Sequence, residues 1–545
     1  MGRFQTGFPS TPNILIGRGD FFIFTCEKSR CVIFPPCSGK AKKKTRGNFS
    51  VQATNDTRSI WQKEARMPNY KRLEKDIRVK NLIIGGGLCG LLTAYQLQQK
   101  GETDIAVIEA EEFMSGMSSR TTAKITSQHG AVYASLLSLG KEKAQQYAEA
   151  NEAAIAMYEQ IVEREKIDCD FTRCDSFLYT VTPKEVKTIQ KEAEAAALLN
   201  IPASFEITTE LPFPVCGALR FPCQARFQPV LFAKRICELL EERGARLYSH
   251  SKAISVEDGR VRTEEACIMA YRTFLCTRYP LEDKKGWYFA KMYQQRFYLL
   301  ALENAPAIQN MYLEVGGAGL SLRPYRSDLL LGGFNHKTGH EENTRHLDNL
   351  RQKAKELFPE SREAAGWSSQ DSMTHDSIPY IGREERMGDR VFIAAGFNEW
   401  GMTTSMAAAD ILSSLALEKE TPNAPVFSPK RVDPALQAKS FTVHVANMAY
   451  NLIAKAVPYG RVGSLEPGEG KIAEVGGKRT GICRREDGSI VAIEARCTHM
   501  GCPLQWNPDE KTWDCTCHGS RFSPEGNVIC GPAQEPLKGV ELPHE

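Results

Sequence analysis

Between Cys497 and Phe522 the chain reads CTHMGCPLQWNPDEKTWDCTCHGSRF, and six side chains in that stretch could bind a metal. A Cys-x-His pair, Cys497 and His499, is followed after fifteen intervening residues by a Cys-x-x-His pair, Cys515 and His518. Two more cysteines, Cys502 and Cys517, sit inside the same two segments. Two thiolates and two neutral imidazoles can hold a pair of irons asymmetrically, sulfur on one iron and nitrogen on the other. Neutral imidazole in place of thiolate makes the site less negative and raises its potential. Each ligating ring keeps a second nitrogen, so electron gain can couple to proton gain. A structural zinc also accepts Cys and His at short spacings, but four ligands complete it and give no reason for the two further cysteines.

The two segments resemble the Rieske consensus, CTHxGC and CxCHGS, with Gly501 and Gly519 where the backbone turns close to the metals. The resemblance implies a [2Fe-2S] cluster ligated by Cys497, His499, Cys515 and His518. It also implies a Cys502–Cys517 disulfide that pins the loops together. Two positions depart from the pattern. CTCH stands where many relatives have CPCH, and Phe522 stands where high-potential members carry a tyrosine whose hydroxyl donates to a ligand sulfur. Ser520, the other usual donor, is retained. A lost donor destabilises the added electron, so the potential is expected in the lower part of a range running from about −150 to +300 mV.

A second chemistry begins at residue 81 with NLIIGGGLCGLLTAYQLQQKG, a short apolar strand (Leu82 to Ile84), a glycine turn and a helix closed by Gly101. The turn is GxGxxG. Gly85 permits the sharp bend, Gly87 lets a pyrophosphate approach the backbone, and Gly90 lets helix and strand pack closely. A second apolar run, DIAVIEA, ends in Glu109, an acid placed to accept hydrogen bonds from a ribose hydroxyl. NAD and FAD both fit such a unit. Two further segments bear on the choice: MSSRTTAKITSQHG after Glu109, and an apolar strand (Val391 to Ala395) running into Gly396, a Gly401 turn and an alanine-rich helix. A second helix N-terminus is what a flavin needs to stabilise negative charge on its reduced ring.

An N-terminal GxGxxG paired with a C-terminal GFxxWGMT resembles the D-amino-acid oxidase and glycine/sarcosine oxidase class of FAD enzymes. From about Ser59 to Leu537 the chain resembles a bacterial family in which such a flavoprotein is fused to a Rieske domain, including the SxRTTAKxTSQHG and GPAxxPL signatures. The resemblance implies FAD, with Ser119, Arg120, Thr121, Thr122 and Lys124 near the flavin and Gly396, Gly401, Met402 and Thr403 below it. The expected fold is an α/β (α+β) Rossmann-type FAD-binding domain with an inserted mixed-sheet substrate domain, then a small all-β Rieske domain.

The elements between these sites should carry the substrate region. Residues 139–165 read as a helix with Tyr147, Ile155, Tyr158 and Val162 on one face. Thr182-Pro-Lys-Glu185 reads as a capping box opening a second helix. Residues 244–280 and those from Tyr298 onward read as strands. In SLRPYRSDLLLGGFNHKTGH, Arg323 and Arg326 could clamp a substrate carboxylate, with His336 nearby; surface arginines and a satisfied histidine are the plainer reading. His129 is a further candidate near the flavin. LCTRYP at 275–280 replaces an alanine–threonine–histidine run of relatives, so no role of that histidine carries over. Trp506 and Trp513 read as packing.

Length and charge bound the rest. The 545 residues allow three or four ordinary domains: 1–56 a disordered or spurious extension (a transit segment being the alternative), 57–418 the flavoprotein, 419–455 a linker and a docking helix, 456–545 the Rieske domain. Residues 1–80 hold 17 of the 69 basic and 6 of the 66 acidic side chains, leaving 52 against 60 elsewhere. The acidic body argues against nucleic acid as a partner. No apolar run reaches the roughly 18 to 20 residues of a membrane span. Seventeen cysteines without a framework pattern suggest a reducing, cytoplasmic setting. The expected activity is oxidation of a small substrate, an amine or amino acid, at the flavin, with electrons leaving singly to the cluster and then to an unidentified acceptor. Reverse flow and a non-catalytic redox sensor or docking protein are the alternatives.

Overall fold

The computed structural model describes residues 57–340, 344–431, 457–458 and 465–542. The extension at 1–56 and the docking helix expected at 441–454 lie outside these residues. The first sheet is built on the dinucleotide unit. Its main strand order is Tyr380–Arg383, Val391–Ala395, Cys267–Leu275, Ile77–Ile84, Ile105–Ile108, Arg246–Tyr248; the last five run parallel, while Tyr380–Arg383 and a side hairpin, Ala253–Glu257 and Arg260–Thr263 on Cys267–Leu275, pair antiparallel. The buried apolar runs Leu82–Ile84 and Ile105–Ile108 are what a parallel sheet covered on both faces requires. The first strand is longer than the sequence suggests, because Ile77–Lys80 extends it along Cys267–Leu275.

The second sheet is long and mixed, running Arg362–Thr374, Met292–Glu303, Asp328–Lys337, Ser321–Tyr325, Met311–Glu314, Thr172–Thr180, Gly217–Arg226, Lys124–Ile125. The helix Lys141–Arg164 buries Tyr147, Ile155 and Tyr158, with Val162 partly buried, as its periodicity predicts. Thr182 does not form the expected box. A 3-10 turn, Pro183–Glu185, precedes the helix Val186–Leu198, Thr182 makes no capping bond, and Glu185 instead accepts from Thr188 at 3.0 Å. A capping box does occur at Ser59 and Gln62, opening Ile60–Glu64, and its S-x-x-Q signature stands in the sequence.

Residues 419–431 form a strap whose Val426 and Phe427 are buried, and Arg431 closes it with a two-toothed grip on Asp376 at 2.8 and 3.0 Å. The C-terminal region has two four-stranded sheets, Val457–Pro458, Gly470–Val475, Lys478–Arg484, Ile490–Glu494 and Leu504–Asn507, Thr512–Cys515, Arg521–Phe522, Val528–Cys530. Trp506 and Trp513 pack edge-on with centroids 4.7 Å apart in its core. Among the described residues no helix is long and apolar enough to cross a membrane.

Candidate active site and iron–sulfur centre

The glycine turn is cut to fit a nucleotide. Gly85 has φ +116°, and a β-carbon there would stand 2.5 Å from the Cys276 carbonyl oxygen. A β-carbon on Gly90 would stand 1.9 Å from the Gly85 oxygen, so only glycine lets helix and strand close. Gly87 is the N-cap of Leu88–Gln99, and at that helix start the Leu88 amide donates to the Ser118 hydroxyl at 3.0 Å. Glu109 accepts from the amides of Gly86 (2.7 Å) and Glu111 (3.0 Å), which fixes its carboxylate beside the turn. Burial pushes its pKa up.

The polar loop folds back over the same region. Ser119 is fully buried, and its carbonyl accepts from the Ser59 hydroxyl. The Thr121 carbonyl accepts from the Trp61 indole at 2.8 Å. Thr122 is half-buried beside it. Arg120 reaches the Ser368 carbonyl, and burial followed by the charge of Arg521 depresses its pKa. Lys124 donates to the Tyr312 carbonyl and the Ser321 hydroxyl, both at 2.7 Å. Burial, then Arg323, draws its pKa down to about 7.

At the other end Gly396 has φ +71° and a β-carbon there would meet Thr374 at 2.5 Å. Gly401 opens the helix Gly401–Ala416, and the Thr403 hydroxyl accepts from the Thr126 amide and donates to the Thr126 carbonyl, both at 2.8 Å. The Met402 carbonyl accepts from Tyr158 at 2.7 Å. His129 lies against this helix start. Its Nδ1 is 2.6 Å from the Tyr147 hydroxyl, its ring stacks on Trp400 at 4.8 Å, and its buried Nε2 has no partner among the described residues. Burial lowers its pKa to about 3, so the ring is neutral.

Arg323, Arg326 and His336 do not converge. Arg323 is fully buried against Trp61 and donates to the Phe227 carbonyl at 2.8 Å. Burial, then Arg226, lowers its pKa to about 9. Arg326 is at the surface and pairs with Asp170 at 2.9 Å and Glu64 at 3.2 Å. His336 stacks on His346 with centroids 3.9 Å apart, and both rings stack with Tyr298. Sequence reasoning missed a carboxylate pair beside the Gly401 helix. Glu399 accepts from Gln295 and Asn335 at 3.0 Å, and its amide donates to Asp371 at 2.8 Å. Burial, then Asp371, raises the Glu399 pKa to about 7, which makes that pair a proton store at neutral pH. Two isolated acids in different segments carried no signal.

In the C-terminal loops the Cys515 thiol is bonded by Cys497, Cys502 and Cys517. These neighbours hold its pKa well down, while Cys515 drives Cys497 and Cys502 upward. The ligand atoms of Cys502, Cys515 and His518 all lie within 4.8 Å of one another. Cys502 stands in that trio where the resemblance implies Cys497. Cys502 and Cys517 touch as free thiols. His499 Nδ1 is buried without a partner among the described residues, as a nitrogen facing a metal would be. Ser520 bonds the Cys497 sulfur, and Phe522 is fully buried with no hydroxyl to offer. The residues fit both an FAD and a two-iron cluster.

The loops dock on the flavoprotein body. The Gly519 carbonyl accepts from Gln370 at 2.9 Å, and His340 lies 3.0 Å from the Thr516 carbonyl. Arg278, in the departing LCTRYP run, donates to the Gln370 carbonyl at 2.9 Å and meets the Cys530 sulfur. Arg296, fully buried, pairs with Glu510, which also pairs with Arg521.

A two-sheet flavoprotein body joined to a Cys/His cluster domain defines a flavin and iron–sulfur oxidoreductase, and comparison with known proteins agrees. The profile of the FAD dependent oxidoreductase family, DAO, matches residues 80–415, and the Rieske [2Fe-2S] domain matches 455–541. The chain belongs to the DAO family of FAD-dependent oxidoreductases and carries a Rieske domain, so its cofactors are FAD and a [2Fe-2S] cluster. Bacillus subtilis YhfW, named as a Rieske 2Fe-2S iron-sulfur protein, is 35% identical over 503 residues, covering 89% of this chain and 97% of its own. Subunit 3 of the Nostoc cytochrome b6-f complex iron-sulfur protein is 35% identical over 101 residues, 18% of this chain and 56% of its own. Glycine oxidase from Geobacillus kaustophilus superposes with TM-score 0.55 at 19% identity, over 65% of this chain and 99% of its own.

Proposed function

We propose that the protein oxidises an amine or amino acid at the flavin and passes the electrons singly to the Rieske cluster of the same chain, which hands them to an external acceptor. On this reading Cys497, His499, Cys515 and His518 are the cluster ligands and Cys502–Cys517 closes as a disulfide in the mature centre. Ser119, Arg120, Thr121, Thr122 and Lys124 border the flavin on one side, and Gly396, Gly401, Met402 and Thr403 on the other. Bound FAD supplies hydride acceptance; the chain supplies orientation, exclusion of water and a place for protons.

One observation carries the intrachain transfer. Both histidines proposed as ligands are buried, His518 at 1% exposure and the His499 side chain at 4%, and each meets a residue of the flavoprotein body. His499 meets Asp283, and His518 meets Phe289 edge-on at 6.1 Å. Asp283 and Phe289 lie on the short helices Asp283–Gly286 and Tyr288–Lys291 in the segment after the strand Cys267–Leu275, and Cys276, next after that strand, packs against Gly85. A cluster that served only a soluble donor would leave this edge open. The substrate class is supported by the fold neighbours, which include a glycine oxidase and an L-amino acid deaminase from Proteus vulgaris. The Asp371–Glu399 pair is the protonatable group at hand for accepting the proton an ammonium substrate must shed.

The test is anaerobic mixing of the holoprotein with a panel of amines and amino acids, flavin and cluster absorbance being followed separately. Substrate-driven flavin bleaching followed by cluster reduction is expected. A panel that bleaches no flavin removes the substrate assignment, and bleaching without cluster reduction removes the transfer.

A further inference from the structure

We propose that Asp283, a residue of the flavoprotein body, is the positioning residue for His499 and sets the reduction potential of the cluster from across the domain boundary. The inference rests on the ligand assignment above for His499. Asp283 Oδ2 lies 2.9 Å from His499 Nε2, and the two side chains are 7% and 4% exposed. The other ring nitrogen, Nδ1, is buried with no partner among the described residues. A metal on Nδ1 leaves the ring proton on Nε2, so the ring donates to the carboxylate and cannot rotate away. The same carboxylate oxygen accepts from the buried Tyr279 hydroxyl at 3.2 Å.

The chemistry of this arrangement has a sign. A carboxylate accepting from a ligating imidazole makes the ring a stronger donor and adds negative charge near the irons, and both favour the oxidised centre. Asp283 therefore lowers the potential. The Tyr279 hydroxyl shares the carboxylate and weakens that effect. Missing donors at Phe522 act in the same direction as Asp283, so two independent features place the cluster low. The span from Leu275 to Asp283 is eight residues, so the segment that sets the cluster is anchored beside the nucleotide turn.

The test uses the full-length holoprotein at one fixed pH, with iron content checked and the midpoint read by EPR-monitored potentiometry. Asp283→Asn, which keeps the shape and removes the charge, is expected to retain the cluster and raise the midpoint by about tenfold in the reduction equilibrium, 59 mV for one electron. Tyr279→Phe is expected to move it downward. A loosened interface would shift both variants the same way, which overturns the proposal, as does an unshifted midpoint in a fully loaded Asp283→Asn protein. Should Asp283→Asn lose the cluster, Tyr279→Phe decides alone: a downward shift supports the proposal and none overturns it. Failure of the ligand assignment looks different, because the unaltered protein would then lack nitrogen hyperfine coupling from two histidines.

Discussion

Gly90 leaves no room for a β-carbon, so Gly90→Ala must push the helix Leu88–Gln99 off its strand or bend the turn that holds the nucleotide. Such overpacking costs about 1–3 kcal/mol. The expected outcome is a purified Gly90→Ala protein with a lower melting temperature and less bound FAD, read from its absorbance after gel filtration. Phe522 makes the opposite kind of test, since it lacks a group. Phe522→Tyr should restore a hydroxyl toward the cluster and raise its midpoint, by about 1 kcal/mol if the new bond has the net strength of an ordinary one; an unmoved or lower midpoint would contradict the reason given for a low potential. At this scale the sequence was most legible where one residue type alone can satisfy the backbone or the metal, as at Gly85, Gly90 and the Cys/His loops. It was least legible for Asp283, Arg296 and Glu399, ordinary charged residues whose importance comes from partners distant in the chain.

Elements whose pattern is local came through well: the strand Val391–Ala395 and the helix beginning at Gly401 have the bounds their apolar run and glycine turn predict. The Thr182 box failed because the first turn tightened to a 3-10 turn, which moves the Glu185 carboxylate onto Thr188. The second sheet was the least legible element, because its strand order brings together residues far apart in sequence. One product of that pairing is the His336–His346 stack between the strand Asp328–Lys337 and the helix His346–Leu357. Burial, then His346, lowers the His336 pKa from 6.5 to about 3. The ring stays neutral in the fold but takes a proton in the unfolded chain below pH 6.5, so its contribution is complete above 6.5 and is lost as pH falls toward 3. Melting temperature followed from pH 7 to 4 should therefore fall less steeply in His336→Gln than in the unaltered protein. Parallel curves would mean the ring is not held neutral.

On the scale of the molecule, the flavoprotein body and the cluster domain are joined by buried charge as well as by shape. Arg296 is fully buried and Glu510 is its carboxylate partner from the other domain. Removing one member of such a pair leaves an uncompensated charge at a cost of about 3–5 kcal/mol. Glu510→Ala should accordingly lower the melting temperature, with flavin release and cluster bleaching shifting together; a normal melting point would show that the domains do not depend on this pair. Fold class and both cofactors were legible from motifs. How the domains face each other was not, because no periodicity or spacing encodes a contact between Asp283 and a loop more than two hundred residues away. That facing is what makes internal electron transfer the central claim, and flash reduction tests it most directly. With the flavin photoreduced by a laser pulse under anaerobic conditions, cluster absorbance should bleach in a first-order phase whose rate is unchanged over a tenfold range of protein concentration. A rate that rises with concentration, or a cluster that stays oxidised while the flavin is reduced, would contradict it.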